Sequence, residues 1–287
     1  MKKFLFVGNR RFVLDELLKK KKIDLDILAI KNTHLHRDLE KQKNINYHII
    51  STKQELLDYI NKTEFDVLLS NGCPFILPIN KLKKAKYVNI HPSYLPDLKG
   101  IDPVIGSIKF SRDSGATCHL MNEKIDDGPI ISRVKIPFST DLDATILYQL
   151  SFIAEKDAFN KAFDKNFVAK NHQEKGDWIY YSRKPSDRNI NLSDKPEKII
   201  QNIKSFANKN QGCFFMVNEK KFKVHSAEEL TNPFLVSYSS KFKNFEVIFC
   251  LEDILIFKIK DRILKFSKVD GEISTVKPHH KVSEITN

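Results

Sequence analysis

Phe4-Leu5-Phe6-Val7-Gly8-Asn9-Arg10-Arg11 opens this 287-residue chain with an unbroken apolar run, one glycine and two arginines. Four apolar residues before a turn read as a strand buried on both faces. Residues 12–18, apolar at spacings of three and four, read as the helix that follows. The alternation recurs: residues 25–30, 47–50, 66–70 and 87–90 predict further strands, and Ser51-Thr52 ahead of Glu55 is a capping signature for a helix through Ile60. Such a pattern predicts an α/β fold whose parallel sheet is covered on both faces, with right-handed crossovers and ligands beyond the carboxyl ends of the strands.

Residues 143–163 carry a long helical pattern, and the polar stretch 165–175, with Arg183-Lys184-Pro185-Ser186-Asp187, reads as a linker. Beyond it, residues 199–206 predict one helix, capped by Ser193 or Asp194. Residues 213–217, 222–225, 234–238, 245–250, 254–259 and 263–266 predict strands. Two domains are expected, residues 1–185 and a small helix-plus-β domain over residues 186–287.

Forty-eight Lys and Arg against 36 Asp and Glu give a net charge of +12, which by itself invites a nucleic-acid or membrane-surface partner. The excess is spread: +5 over residues 188–287 (17 basic, 12 acidic) and +7 over the rest (31 and 24), so neither part is a basic arm. No apolar run reaches the ~20 residues that span a bilayer, and residues 4–8 fall short of the ~7–15 of a secretory signal. Cys73, Cys118, Cys213 and Cys250 are far apart, with no CxxC pair. That argues against a disulfide framework or zinc knuckle and for a reducing cytoplasm.

The chemistry-bearing residues lie in Asn89-Ile90-His91-Pro92-Ser93-Tyr94-Leu95-Pro96, Lys99-Gly100, Gly115-Ala116-Thr117-Cys118-His119 and Ile125-Asp126-Asp127-Gly128-Pro129-Ile130. Asn89 and His91 alternate at the end of the fifth strand, so both point to one side of the edge where ligands bind. An amide can donate to a developing oxyanion, and a histidine can take or hold a proton near neutral pH. Asp126, brought by a turn ending in glycine, can set the histidine's tautomer. With no Ser or Cys placed as nucleophile, the set suits direct acyl transfer to an amine. The single glycine at position 8 argues against a dinucleotide site. Arg10 and Arg11 read either as solvated arginines opening a helix or as phosphate ligands.

NIHPSYLP at 89–96, G-A-T-x-H at 115–119 and I-D-D-G-P-I-I at 125–131 together resemble the N10-formyltetrahydrofolate-dependent formyltransferase family, over about residues 1–140. The resemblance implies a Rossmann-like α/β formyltransferase domain with a parallel-rich sheet, followed by a small barrel-like β-rich domain. It places the catalytic trio on Asn89, His91 and Asp126, the family's Asp-x-Gly being fixed in register by Gly128. It implies N10-formyltetrahydrofolate as co-substrate and no metal. The folate pocket would be built from Phe75, Ile76, Leu77 and Ser93, with Asn122, Lys124, Ile125 and Asp126 as the other wall. Ordinary core packing is the other reading of 75–77. Asn9, Arg10, Arg11, Tyr94 and Lys99 are the expected substrate contacts. Whether His91 is chiefly a base or an oxyanion stabiliser stays open.

Within the family, the β-rich C-terminal part is unlike the shorter glycinamide ribonucleotide enzymes. Lys99 stands where the family's Leu-Pro-x-x-Arg-Gly run has arginine, and Asp97-Leu98-Lys99-Gly100-Ile101-Asp102 places acids where methionyl-tRNA enzymes are rich in Arg and Trp. A tRNA site needs a concentrated basic stripe. The expected function is formylation of the exocyclic amine of a nucleotide-linked amino sugar, of the 4-amino-4,6-dideoxy type, for cell-surface glycan (lipopolysaccharide) synthesis. A cytoplasmic homodimer is expected, with no nucleic-acid or membrane partner. The alternatives are a methionyl-tRNA formyltransferase and an RNA-binding module on a degenerate transferase domain.

Overall fold

The apolar runs of the first half pair side by side in a computed structural model that describes residues 1–285 apart from 43 and 171. Residue 171 of the expected linker and residues 286–287 of the expected second domain lie outside the described residues. Seven strands, β1 (Lys2–Gly8), β2 (Ile23–Ile30), β3 (His48–Ile50), β4 (Val67–Asn71), β5 (Lys86–His91), β6 (Ser114–Leu120) and β7 (Ile130–Ile136), form one sheet in the order β3-β2-β1-β4-β5-β6-β7. β1 to β5 are parallel. β6 and β7 run antiparallel, so the sheet is parallel-rich, as the family resemblance implies. The connection over residues 121–129 is too short for a crossover helix, so β7 can only return beside β6 head to tail.

Alternation along β1 sends Phe4 and Phe6 to one face and Leu5 and Val7 to the other. Phe4 and Phe6 pack with Val67, Leu69, Val88 and Ile90 against helices α1 (Phe12–Leu18) and α5 (Ala144–Asp164), the latter through Ala158, Phe159 and Ala162. Leu5 and Val7 join Leu28 and Leu68 against Leu56 and Ile60 of α3 (Lys53–Lys62). Each buried side chain of this size contributes roughly 1.5–3 kcal/mol of burial free energy. The expected cap before α3 forms: Thr52, the N-cap, accepts from the Glu55 N–H at 3.2 Å, and Glu55 Oε2 accepts from the N–H of the preceding Ser51 at 2.7 Å. Helices α2 (His34–Glu40) and α4 (Pro103–Lys109) complete this half of the chain. At Gly8 a Cβ would lie 2.2 Å from the Asn71 carbonyl oxygen, so the lone glycine is demanded by the close approach of β1 and β4.

The chain divides into two compact units: Met1–Pro103, Asp113–Pro137 and Gln149–Tyr181 in one, Val104–Arg112, Phe138–Tyr148 and Ser182–Asn287 in the other. The second holds α6 (Pro196–Ser205) and an antiparallel sheet of β8 (Cys213–Val217), β9 (Lys220–Leu230), β10 (Val247–Leu251), β11 (Ile254–Ile259), β12 (Arg262–Asp270) and β13 (Val282–Ser283), ordered β10-β11-β12-β9-β8-β13. Hydrogen bonds from Val247 N to His280 O (2.9 Å) and from Val282 N to Phe245 O (2.8 Å) tie the two ends of this sheet together. The sheet thus curls into the expected barrel-like form, with its edges covered. Phe257 and Phe215 meet Phe266 edge-on inside it.

Two local expectations are corrected. Residues 234–238 are helical, within α7 (Pro233–Tyr238), because Asn232 Oδ1 accepts from the Phe234 and Leu235 N–H groups and Pro233 supplies the first helical position. Neither Ser193 nor Asp194 caps α6. Lys195 is its N-cap residue, Pro196 pre-sets the backbone, and Asp194 pairs with Lys198 at 2.7 Å. Among the described residues no helix is long and apolar enough to cross a membrane.

Candidate active site

Asn89 and His91 stand two apart at the carboxyl end of β5, so their side chains leave the same face. β6 lies antiparallel beside them with His119 opposite Asn89 and Thr117 opposite His91, which adds His119 to the group. Asp126 arrives on the loop between β6 and β7. Its φ of 52° lies in the left-handed region that aspartate tolerates better than most residues. Gln173 Nε2 braces the loop by donating to the main-chain carbonyls of Asp126 (2.8 Å) and Gly128 (2.9 Å).

The four side chains form one network. Asp126 Oδ1 accepts from Asn89 Nδ2 at 3.3 Å; Oδ2 accepts from the Gly100 N–H at 3.1 Å and lies 3.5 Å from His91 Nδ1. His91 Nε2 is 3.0 Å from the Leu98 carbonyl, which can only accept, so Nε2 carries the ring proton and Nδ1 turns a lone pair toward Asp126. The same logic fixes His119: Nδ1 donates to the Leu120 carbonyl at 2.9 Å, leaving Nε2 to accept the second amide hydrogen of Asn89 at 3.3 Å. Both N–H donors of Asn89 are therefore committed, and its carbonyl oxygen is the group without a protein partner among the described residues.

Burial pushes the His91 pKa down against the opposing pull of Asp126 and the Leu98 carbonyl, so the resting imidazole is neutral. Burial also works against charge on Asp126. The attraction of a proton on His91 or His119, together with the Gly100 N–H, outweighs it and holds the carboxyl well below the usual range. A carboxylate depressed below its unfolded value of about 3.9 adds stability that is complete above that pH and is lost as the pH falls below it. Thermal melts of the wild type and Asp126→Asn should therefore differ above about pH 4 and converge under more acid conditions. A gap independent of pH would contradict the depressed carboxylate.

The remaining expected site residues are placed less uniformly. Phe75 and Leu77 belong to the apolar cluster around Leu5 and Val7, whereas Ile76 is 61% exposed and Ile125 40% exposed. Asn122 and Lys124 are exposed, Asn122 Oδ1 accepting from the Lys124 N–H at 3.0 Å. Ser93 is buried; its hydroxyl donates to the Asp97 carbonyl and its own carbonyl accepts from Thr117, so it braces the loop leaving β5. Tyr94 lies under the Arg133 guanidinium, 4.2 Å from ring centroid to carbon. Lys99 pairs with Asp127. Asn9 follows β1, its N–H bonded to the Asn71 carbonyl at 3.2 Å. Arg10 pairs with Glu155, while Arg11 pairs with Asp15 and donates to Gln42. His119 and Gln173 were missed as site residues. His119 was visible in the G-A-T-x-H run, while nothing local marks Gln173. Among the described residues no group of three or more His, Cys, Asp or Glu is placed to hold a metal ion.

A profile of the formyl transferase family matches residues 20–163. The methionyl-tRNA formyltransferase of Pelagibacter ubique is 27% identical over 187 residues, 62% of this chain and 60% of its own length. That of Lactobacillus johnsonii is 28% identical over 210 residues, 71% and 65%. The chain thus spans less than two thirds of the length of these curated relatives. In structure, the N-formyltransferase of Helicobacter canadensis in complex with folinic acid and dTDP-3-aminofucose matches with a TM-score of 0.71 at 20% identity, covering 93% of this chain and 99% of that one. A 4-N formyltransferase from Francisella tularensis matches at 0.66 and 21%, covering 77% and 95%. At these identities the structural likeness is one of fold. The family profile spans half of the sequence and includes all three residues of the trio, and the chain belongs to the formyl transferase family.

Proposed function

We propose that this protein moves the formyl group of N10-formyltetrahydrofolate to the exocyclic amine of a nucleotide-linked amino sugar, of the 4-amino-4,6-dideoxy type expected from the sequence, as a cytoplasmic homodimer serving glycan synthesis. One observation carries the reading: Asn89, His91 and Asp126 meet at the carboxyl edge of a parallel-rich sheet, in a network that leaves one imidazole nitrogen and one amide oxygen unprotonated and uncommitted. The acceptor is supported by fold and by charge. The chain matches the nucleotide-sugar neighbour in fold along 99% of that chain's length, and its basic charge is spread rather than gathered in a tRNA-binding stripe. The names of the curated relatives favour the second reading, a methionyl-tRNA formyltransferase.

The residues present suit a folate. Ile76 and Ile125, on the loops that follow β4 and lead into Asp126, leave apolar side chains in solvent that a flat ring would cover. N10-formyltetrahydrofolate, when bound, would supply the formyl carbon, leaving tetrahydrofolate with a proton on N10. Asn89 Oδ1 accepts a hydrogen bond from the acceptor's neutral amine and so aims its lone pair. His91 Nδ1 takes the proton which that nitrogen loses as the new C–N bond forms, and Asp126 at 3.5 Å stabilises the resulting imidazolium. The same Nδ1 returns the proton to the departing nitrogen as the old C–N bond breaks, restoring the neutral ring. In this mechanism Asn89 acts through its oxygen rather than through its N–H groups.

Asn89→Ala and His91→Ala are each expected to lower formyl transfer by about 10³-fold while leaving the melting temperature near that of the wild type. The check is tetrahydrofolate release beside thermal melts; folded variants that keep near-wild-type rates would overturn the assignment.

A further inference from the structure

Arg10 and Glu155 form an ion pair that the formyl-transfer chemistry above does not use. Glu155 lies on α5 with its side chain wholly out of solvent, and its Oε1 accepts from Arg10 Nη1. Arg10, in the turn after β1, keeps 21% of its side chain exposed. Further contacts leave the guanidinium little freedom. Its carbon lies 5.6 Å from the centroid of Phe152, one helical turn before Glu155, and Phe152 in turn stacks on Phe12 at 5.3 Å. Gly72, with a left-handed φ of 74°, makes room for the turn: a Cβ there would lie 2.1 Å from Asn9 Oδ1 and 3.1 Å from Arg10 Nε. Burial pushes the Glu155 carboxyl up, and Arg10, with the buried Asn71 amide, opposes that push.

A buried ion pair is a poor way to gain stability, because desolvation offsets the attraction and an apolar pair of similar size often serves as well. What this pair does provide is a guanidinium fixed in place. Arginine presents five N–H donors in a rigid fork, and Glu155 engages one side of it. The exposed side remains at the carboxyl end of β1, where ligands of such sheets dock. After burial itself, Arg10 is among the charges that push His91 toward its neutral form, so an anion on Arg10 would sit within electrostatic range of the reacting centre. Arg11 is turned to Asp15 and Gln42 and has no such buried anchor.

Resting on the nucleotide-sugar reading above, we propose that Glu155 is a positioning residue that holds Arg10 so that its outward N–H donors grip the phosphate of the acceptor. The test compares wild type, Glu155→Gln and the double variant Arg10→Met/Glu155→Leu, which leaves no unpaired buried charge. Calorimetry with UDP, dTDP and CDP is read beside KM for the nucleotide sugar and for formyl-tetrahydrofolate. Both variants should bind the preferred diphosphate at least about tenfold more weakly and show a matching rise in acceptor KM, with the folate KM within about twofold. Should Glu155→Gln fail to fold, the double variant decides. A folded double variant with wild-type diphosphate affinity overturns the role of Glu155 while leaving the acceptor reading standing. A wild type that binds no nucleoside diphosphate and formylates no nucleotide sugar overturns both.

Discussion

Asp126→Asn is expected to reduce kcat by about 10³–10⁴-fold while leaving a folded protein. The two oxygens of Asp126 face different partners: Oδ1 meets Asn89 Nδ2 and His119 Nε2, and Oδ2 meets the Gly100 N–H and His91 Nδ1. Asparagine fits the space but carries an NH₂ on one side. Turned toward Oδ2's place, that group opposes the Gly100 N–H; turned the other way, it opposes the amide hydrogens of Asn89. One hydrogen bond is lost in either orientation. The negative charge that would hold a proton on His91 Nδ1 is lost in both, and only the Leu98 carbonyl is left to offset the cost of protonating the buried imidazole. Steady-state kinetics at saturating donor and acceptor measure the effect. A kcat within about tenfold of wild type would mean that no proton passes through His91 under the influence of Asp126.

Gly128→Ala should be nearly as damaging, by a different route. A Cβ at Gly128 would lie 1.7 Å from the Leu120 carbonyl oxygen and 2.8 Å from its carbon. These are backbone atoms of β6, held by the Leu120 N–H bond to the Pro129 carbonyl at 2.9 Å, so no flexible side chain can move aside. The loop of residues 121–129 must shift, and Asp126 with it. A loss of at least about 3 kcal/mol is expected, seen as a large fall in melting temperature, and whatever remains folded should be at least about 10²-fold less active. Asp127→Ala is the contrast. It removes a half-exposed partner of Lys99, and a change within about 1 kcal/mol is expected. If the two substitutions proved equally mild, the loop would not be fixed by the approach at Gly128.

What the sequence revealed and what it hid follow from the range of the signals. β1, its turn and α1 were legible because period and turn chemistry are local, and so were the Thr52 cap, residues 213–217 and residues 254–259. The grouping of Asn89, His91 and Asp126 was legible through the family resemblance that the strand-end run and the Asp-x-Gly turn carry, and the roles proposed for them rest on that grouping. Residues 234–238 misled because a run of five apolar and small residues has no period long enough to separate strand from helix, and Asn232 decided it through its cap. Arg10 looked free because Glu155 lies 145 positions away. Gln173 was invisible for the same reason, joining Asp126 across 47 positions from a segment with no pattern of its own. His119 was in plain view, but its role depends on β6 lying antiparallel to β5, which no local pattern announced.

The reaction proposed for Asn89, His91 and Asp126 is delivery of a formyl group to the amine of a nucleotide-linked sugar. It is tested most directly by incubating the purified protein with N10-formyltetrahydrofolate and, in parallel, charged initiator methionyl-tRNA or a panel of UDP-, dTDP- and CMP-linked 3-amino and 4-amino sugars, and identifying the formylated product by mass spectrometry. The expected product is an N-formylated nucleotide sugar, lost when His91 is replaced by alanine. Formylation of the methionyl-tRNA alone would contradict it.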